Sequence, residues 1–167
     1  MEIPASTIKE LRSQSGAGVM DCRNALVQAS GDVNRALELL KEQGYKKAEK
    51  KADRVARQGL VEAYIHTGGR IGAMVEVNCE TDFVARTSEF KELAHNLAMQ
   101  VAACGAQCIS DKELPPGADV DPRSACLLLQ PYIKSPDKTV RDVITEVIAK
   151  IGENIKVSKF ARFELGE

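Results

Sequence analysis

Tryptophan is absent from this chain, and aromatic residues of all kinds make up only 4% of it. An aromatic side chain in polar surroundings therefore stands out, and there are four phenylalanines to account for. Charge of one sign is missing too. With 24 acidic against 23 basic residues, no net field draws the molecule to nucleic acid or to a membrane, so neither is an expected partner. No apolar run approaches the roughly 20 residues of a membrane span. The start, Met1-Glu2-Ile3-Pro4, lacks the basic and apolar regions of a signal peptide, and the expected location is cytoplasmic.

Metal-ligating patterns are scarce. Five cysteines, an odd number, are scattered at Cys22, Cys79, Cys104, Cys108 and Cys126, a distribution that suits free thiols in a reducing compartment. Cys104 and Cys108 are four apart, yet no second pair at zinc-ligand spacing follows and the two histidines are remote in sequence. No metal and no cofactor is expected.

What is present is a chain of 167 residues, long enough for one domain with a small satellite. Thr7-Ile8-Lys9-Glu10 has capping-box spacing and opens a short helix interrupted by Gly16 and Gly18. A second helical pattern carries Val19, Met20, Ala25, Leu26 and Ala29. A third starts at Asp32 and holds Val33, Ala36, Leu37 and Leu40 before Gly44. Residues 1–45 thus read as a three-helix module, near the lower size limit for folding alone and suited to docking. Residues 46–58, alanine-rich with interleaved charges, read as a basic helical linker with a solvated face.

From Gly59 the period becomes two. Val61, Ala63 and Ile65 answer Ile71, Ala73, Val75 and Val77 across Thr67-Gly68-Gly69-Arg70, a β-hairpin. An apolar face at odd numbers on both strands requires an odd loop, so a three-residue loop Thr67-Gly68-Gly69 is expected. After the hairpin, Thr87 can cap a helix with its stripe at Phe90, Leu93, Ala94, Leu97, Ala98 and Val101. His95 falls outside that stripe. A loop around Leu114-Pro115-Pro116-Gly117, a second helix over Val140–Ile151 and a last strand with Ile155, Val157, Ala161 and Phe163 follow. Residues 59–167 therefore form an α+β domain, a small antiparallel sheet covered on one face by two helices.

The stretch Glu76-Val77-Asn78-Cys79-Glu80-Thr81-Asp82-Phe83-Val84-Ala85-Arg86 joins strand to helix through a polar corner, where binding residues concentrate. Two readings of Phe83 stand: a binding aromatic at the corner, or a side chain turned inward to plug the core. For a reaction, the nearest set is Cys79 with His66 and Asp82. In a regular hairpin with the expected loop, Cys79 and His66 point to opposite sides of the sheet, so the chain reads as a binding protein and not an enzyme.

This corner, together with Leu11-Arg12-Ser13-Gln14-Ser15-Gly16-Ala17-Gly18-Val19-Met20-Asp21-Cys22 and Lys150-Ile151-Gly152-Glu153-Asn154-Ile155, closely resembles the bacterial elongation factor Ts family in its short, single-core form. The resemblance runs nearly end to end. It implies a guanine nucleotide exchange factor that binds elongation factor Tu carrying GDP and promotes GDP release by displacing the magnesium ion. It also implies that the N-terminal module resembles ubiquitin-associated domains. In that picture Thr81, Asp82, Phe83 and Val84 press the partner beside its nucleotide, while Leu11, Arg12, Met20 and Asp21 dock the N-terminal module.

Ser15 stands where the family commonly has threonine. Longer members carry two core subdomains and a helical hairpin where this chain has one core and a short loop, and short members are thought to pair, so a homodimer is expected. The alternative is a non-enzymatic adapter whose helical module binds peptides or ubiquitin-like partners.

Overall fold

The computed structural model describes residues 3–166. Met1 and Glu2, read above for a signal peptide, and Glu167 lie outside the described residues. The chain divides into two compact units, Met1–Asp53 with Thr145–Gly152, and Arg54–Ile144 with Glu153–Glu167.

In the first unit, α1 (Ala5–Ser15), α2 (Val19–Gln28) and α3 (Val33–Glu49) close around buried Leu11, Cys22, Ala25, Leu26 and Ala36. The capping box expected at Thr7 does not form, because α1 starts after Pro4, whose fixed φ of −58° leads directly into the first turn. Gly16 ends the helix at φ 67°, a conformation glycine adopts at no steric cost. Asp32 caps α3 as expected, accepting from the Arg35 N–H at 3.0 Å.

Gly44 does not stop α3. It is buried within the helix, with Thr145 and Ala149 beside it, so the missing side chain serves close packing instead of termination. Lys46, Lys47, Ala48 and Glu49, expected in a separate linker helix, are accordingly the end of α3, and residues 50–57 are turn and irregular chain. Thr145 and Ala149 belong to α7 (Val140–Ile151), whose later part groups with this unit.

The second unit is built on β1 (Gln58–Ile65), β2 (Ile71–Cys79) and β5 (Lys156–Glu164), an antiparallel sheet in the order β1-β2-β5. The α+β class is as expected. The helix α5 (Ser88–Cys104) lies along all three strands, and the single turn α4 (Asp82–Ala85) touches β1 and β2. Val75, Val77, Phe90, Leu97 and Val101 are fully buried between sheet and helix. Thr87 caps α5 by accepting from the Phe90 N–H at 3.2 Å. A four-residue turn of helix, α6 (Pro122–Ala125), and a small ribbon of β3 (Pro131–Tyr132) and β4 (Ser135–Thr139) complete the unit.

The hairpin register overturns the expected loop. Gln58 lies opposite Cys79 and Ile65 opposite Gly72, and the His66 N–H donates to the Ile71 carbonyl at 2.8 Å. The turn between them is four residues, 67–70. Even positions of β1 therefore share a face with odd positions of β2. Leu60, Glu62 and Tyr64 join Ala73, Val75 and Val77 under α5, whereas Val61, Ala63 and Ile65 lie with Met74 and Phe163 on the other face. That face is uncovered: Val61, Ile65, Met74 and Phe163 are 49–70% exposed. The Ile65 side chain leans over Gly72 there.

Gly59 brings β1 close to β2. It sits opposite Asn78 at φ 141°, and a Cβ at this position would run into the Val77 carbonyl oxygen. No helix among the described residues is long and apolar enough to cross a membrane.

Candidate functional site

β2 ends at Cys79, and Glu80 and Thr81 turn the chain into α4. Thr81 caps this turn, its hydroxyl oxygen accepting from the Val84 N–H at 3.4 Å. The corner is thus a one-turn helix between strand and α5, not the loop that a helix start at Thr87 suggests.

Phe83 stands on the outside of that turn, 79% exposed, more than any other large apolar side chain among the described residues. Of the two readings of Phe83, the core plug is excluded; Phe90, fully buried, fills that role. Val84 is half-buried next to it and Ala85 is buried, so one side of the turn is anchored while the other presents Phe83. Asp82 is not a free carboxylate, because the Arg86 guanidinium donates to it at 2.8 Å on the surface.

A set of residues distant in sequence braces the corner. One oxygen of Glu153 accepts from the Glu80 N–H and the Thr81 N–H, each at 3.0 Å, and the other accepts from the Thr81 hydroxyl at 2.6 Å. Glu80 returns the arrangement. Its carboxylate accepts from the Asn154 N–H at 2.7 Å and pairs with Arg54 at 3.6 Å. Asn154, buried, donates from its side-chain amide to the Arg54 carbonyl at 2.8 Å. Charged acceptors on backbone N–H groups make the stronger class of hydrogen bond, so the corner is held rigid without its own residues filling the core. Nothing local in Gly152-Glu153-Asn154 announces this role; the one available hint is a polar pair directly after a helix end.

Chemistry by the corner's own groups is not supported. Burial and the Glu153 charge push the Cys79 thiol up to about 11, and its Sγ donates to the Thr81 carbonyl. A protonated, enclosed thiol is a poor nucleophile. In the observed register Cys79 and His66 do share a face, contrary to the expected parity. They lie at opposite ends of the hairpin, however, roughly 25 Å apart at about 3.3 Å per residue. The two histidines instead flank Tyr64: its hydroxyl meets the His66 Nδ1 at 3.0 Å and its ring packs edge-on against His95, which pairs with Glu62. No group of three or more His, Cys, Asp or Glu suited to a metal occurs among the described residues.

The other expected binding residues lie in the helical unit. Met20 is 60% exposed on α2, beside exposed Val19, and Arg12 is exposed at the end of α1. Asp21 accepts from the Lys47 ammonium at 2.9 Å. Leu11 is fully buried, so any part it has in docking acts through holding α1 in place.

The family model described as Elongation factor TS matches residues 5–119. An elongation factor Ts from Caldanaerobacter subterraneus subsp. tengcongensis is 46% identical over an alignment of 195 residues that covers 99% of this chain and 98% of the relative. Those from Heliobacterium modesticaldum and Rippkaea orientalis are each 47% identical over 99% of this chain, covering 91% and 79% of their own lengths. The aligned spans exceed the 167 residues of this chain, so these relatives carry residues that it lacks. Family model and relatives together span the corner, the helical unit and the sheet, and the chain belongs to the elongation factor Ts family of translation elongation factors.

Proposed function

We propose that this protein is a guanine nucleotide exchange factor for elongation factor Tu, acting in the cytoplasm by binding alone. The carrying observation is Phe83, 79% exposed on a turn whose backbone is clamped by Glu153. Accelerated release requires that the factor bind the nucleotide-free partner more tightly than the nucleotide-bound one. A rigid apolar projection meets that requirement, because it adds bulk where the partner's ion-bound state has no room, and a flexible one would simply fold away. Thr81 caps the projection, Val84 anchors it and Asp82, tied to Arg86, lies beside it. The magnesium ion is then displaced from the partner as the corner enters, and GDP leaves with it.

The helical unit supplies docking. Its Val19, Met20 and Val27 are exposed on α2 and take no part in the unit's own core. Release of labelled GDP from elongation factor Tu, with and without this protein, tests the reading: catalytic amounts should accelerate release, and an unchanged rate would favour an adapter.

Self-association is part of the proposal. The uncovered sheet face, with Val61, Ile65, Met74 and Phe163 exposed, is the kind of contiguous apolar surface that monomeric proteins rarely leave open, and a two-fold pairing of like faces covers it on both partners.

A further inference from the structure

Outside the corner, an unusual pair of side chains lies at the base of the loop after α5. Residues 107–109 run beside residues 125–128, joined by backbone hydrogen bonds from Gln107 and Cys108 to the Ala125 carbonyl and from Leu127 to the Cys108 carbonyl at 2.9 Å. Cys108 and Cys126 are direct partners in this parallel bridge. Their Sγ atoms are 3.2 Å apart, about 1.2 Å beyond the ~2.05 Å of a formed disulfide. Bridge partners on neighbouring chains are about 4.8 Å apart, inside the roughly 4.4–6.8 Å window that a disulfide spans without moving backbone.

Exposure separates the two. Cys126 is fully buried, whereas Cys108 is half-exposed. An oxidant from solvent therefore meets Cys108, and Cys126 waits behind it. Neither residue takes part in the corner or the exposed sheet face.

We propose that Cys108 and Cys126 form a modification site, a dithiol that closes to an intrachain disulfide on reaction with a small-molecule disulfide such as oxidised glutathione. Cys108, as thiolate, attacks one glutathione sulfur, forming a mixed disulfide and expelling one glutathione thiolate. Cys126 then gives up its proton, which an expelled glutathione thiolate takes up, and attacks the Cys108 sulfur. The Cys108–Cys126 bond forms, the mixed disulfide breaks and a second glutathione thiolate leaves. Two protein thiols are oxidised and one glutathione disulfide is reduced to two thiols.

The resting pair is slow to start. Burial, the neighbouring Cys126 thiol and the charges of Glu113 and Asp111 hold the Cys108 thiol up at about 11, so the thiolate fraction, and with it the rate, grows about tenfold per pH unit below that value. The Asp111 carboxylate is in turn paired with Arg141 at 3.9 Å. Closure staples the loop that carries Pro115, Pro116 and Gly117 at its base, leaving the loop itself free.

The test uses the full chain, reduced and then exposed to oxidised glutathione at pH 8.5, followed by peptide mapping. The expected result is one intrachain link, Cys108 to Cys126, with Cys22, Cys79 and Cys104 still alkylatable once the chain is unfolded, and in Cys108→Ser no intrachain link, with Cys126 also left alkylatable. The Cys108→Ser variant alters a half-exposed side chain and so keeps the test independent of the buried Cys126. A link to the exposed Cys104, glutathione retained on Cys108 without closure, or five free thiols after prolonged exposure would each overturn the proposal.

Discussion

Glu153 holds Thr81 twice, accepting its backbone N–H at 3.0 Å and its hydroxyl at 2.6 Å. The carboxylate thereby fixes both the direction of the chain leaving β2 and the rotamer of the residue that caps α4. Glu153→Ala should destabilise the sheet-containing unit by about 2 kcal/mol, the cost of leaving charge-assisted bonds unmade, and slow nucleotide release from elongation factor Tu. Glu153→Gln retains one oxygen and should fall between. If release were unchanged in Glu153→Ala, the corner would hold its shape without the clamp.

Phe83→Ala separates binding from folding. At 79% exposure the ring contributes little to the core, and the melting temperature should move by no more than about 0.5 kcal/mol implies for a surface position. Nucleotide release should fall about tenfold or more, equivalent to about 1.4 kcal/mol of coupling. Stopped-flow release and thermal unfolding of the same preparation decide it: full release with the alanine in place removes Phe83 from the mechanism.

The α5 stripe, the hairpin, the strand-to-helix corner and the family were legible in the residue pattern. Which side of β1 faces inward was not. Val61, Ala63 and Ile65 alternate as an inner face does, but alternation marks a strand and carries no label for inside; the covered positions are Leu60, Glu62 and Tyr64. Gly44 misled for a related reason: a glycine is a helix stop where the chain must turn and a packing notch where another helix comes close, and only the neighbours Thr145 and Ala149 distinguish the two. Glu153 lies over seventy positions from Glu80 and Thr81, beyond the reach of any local signal.

Gly44 offers a stabilising substitution. A Cβ there would meet the Ala149 Cβ and the Thr145 Cγ2 at 3.8 Å, ordinary contact distances. Gly44→Ala should therefore gain up to about 1 kcal/mol from helix propensity, a rise in melting temperature of roughly 2–4 °C. A fall would show that α3 and α7 pack more tightly than these distances allow.

Ile65→Glu and Phe163→Glu test the uncovered sheet face. The two positions flank Gly72 across the three strands and are 67% and 70% exposed, so the fold should survive a charge at either. Sedimentation at micromolar concentration should show a dimer for the parent chain and a monomer for both variants. A parent chain that is already monomeric and fully active would end the pairing proposal.

Alkaline stability reports on Cys79. Its thiol is raised from 9.0 to about 11 by burial, so the unfolded chain loses this proton first and stability present below pH 9 is lost as pH rises toward 11. Cys79→Ser has no proton to lose in that window. The stability advantage of the parent chain over Cys79→Ser should shrink from pH 8 to pH 11, measured by denaturant unfolding; a constant difference would place the thiol in contact with solvent.

Gly59 has a consequence for how such a chain can vary through descent. Its backbone conformation and the Val77 carbonyl facing it reject every side chain, alanine included, so each single-nucleotide change that alters this codon's meaning yields a hairpin that pairs poorly just ahead of the corner. The position is closed to drift. Deep mutational scanning should show it as a site where all nineteen replacements are lost, flanked by Gln58 and Leu60, where many survive.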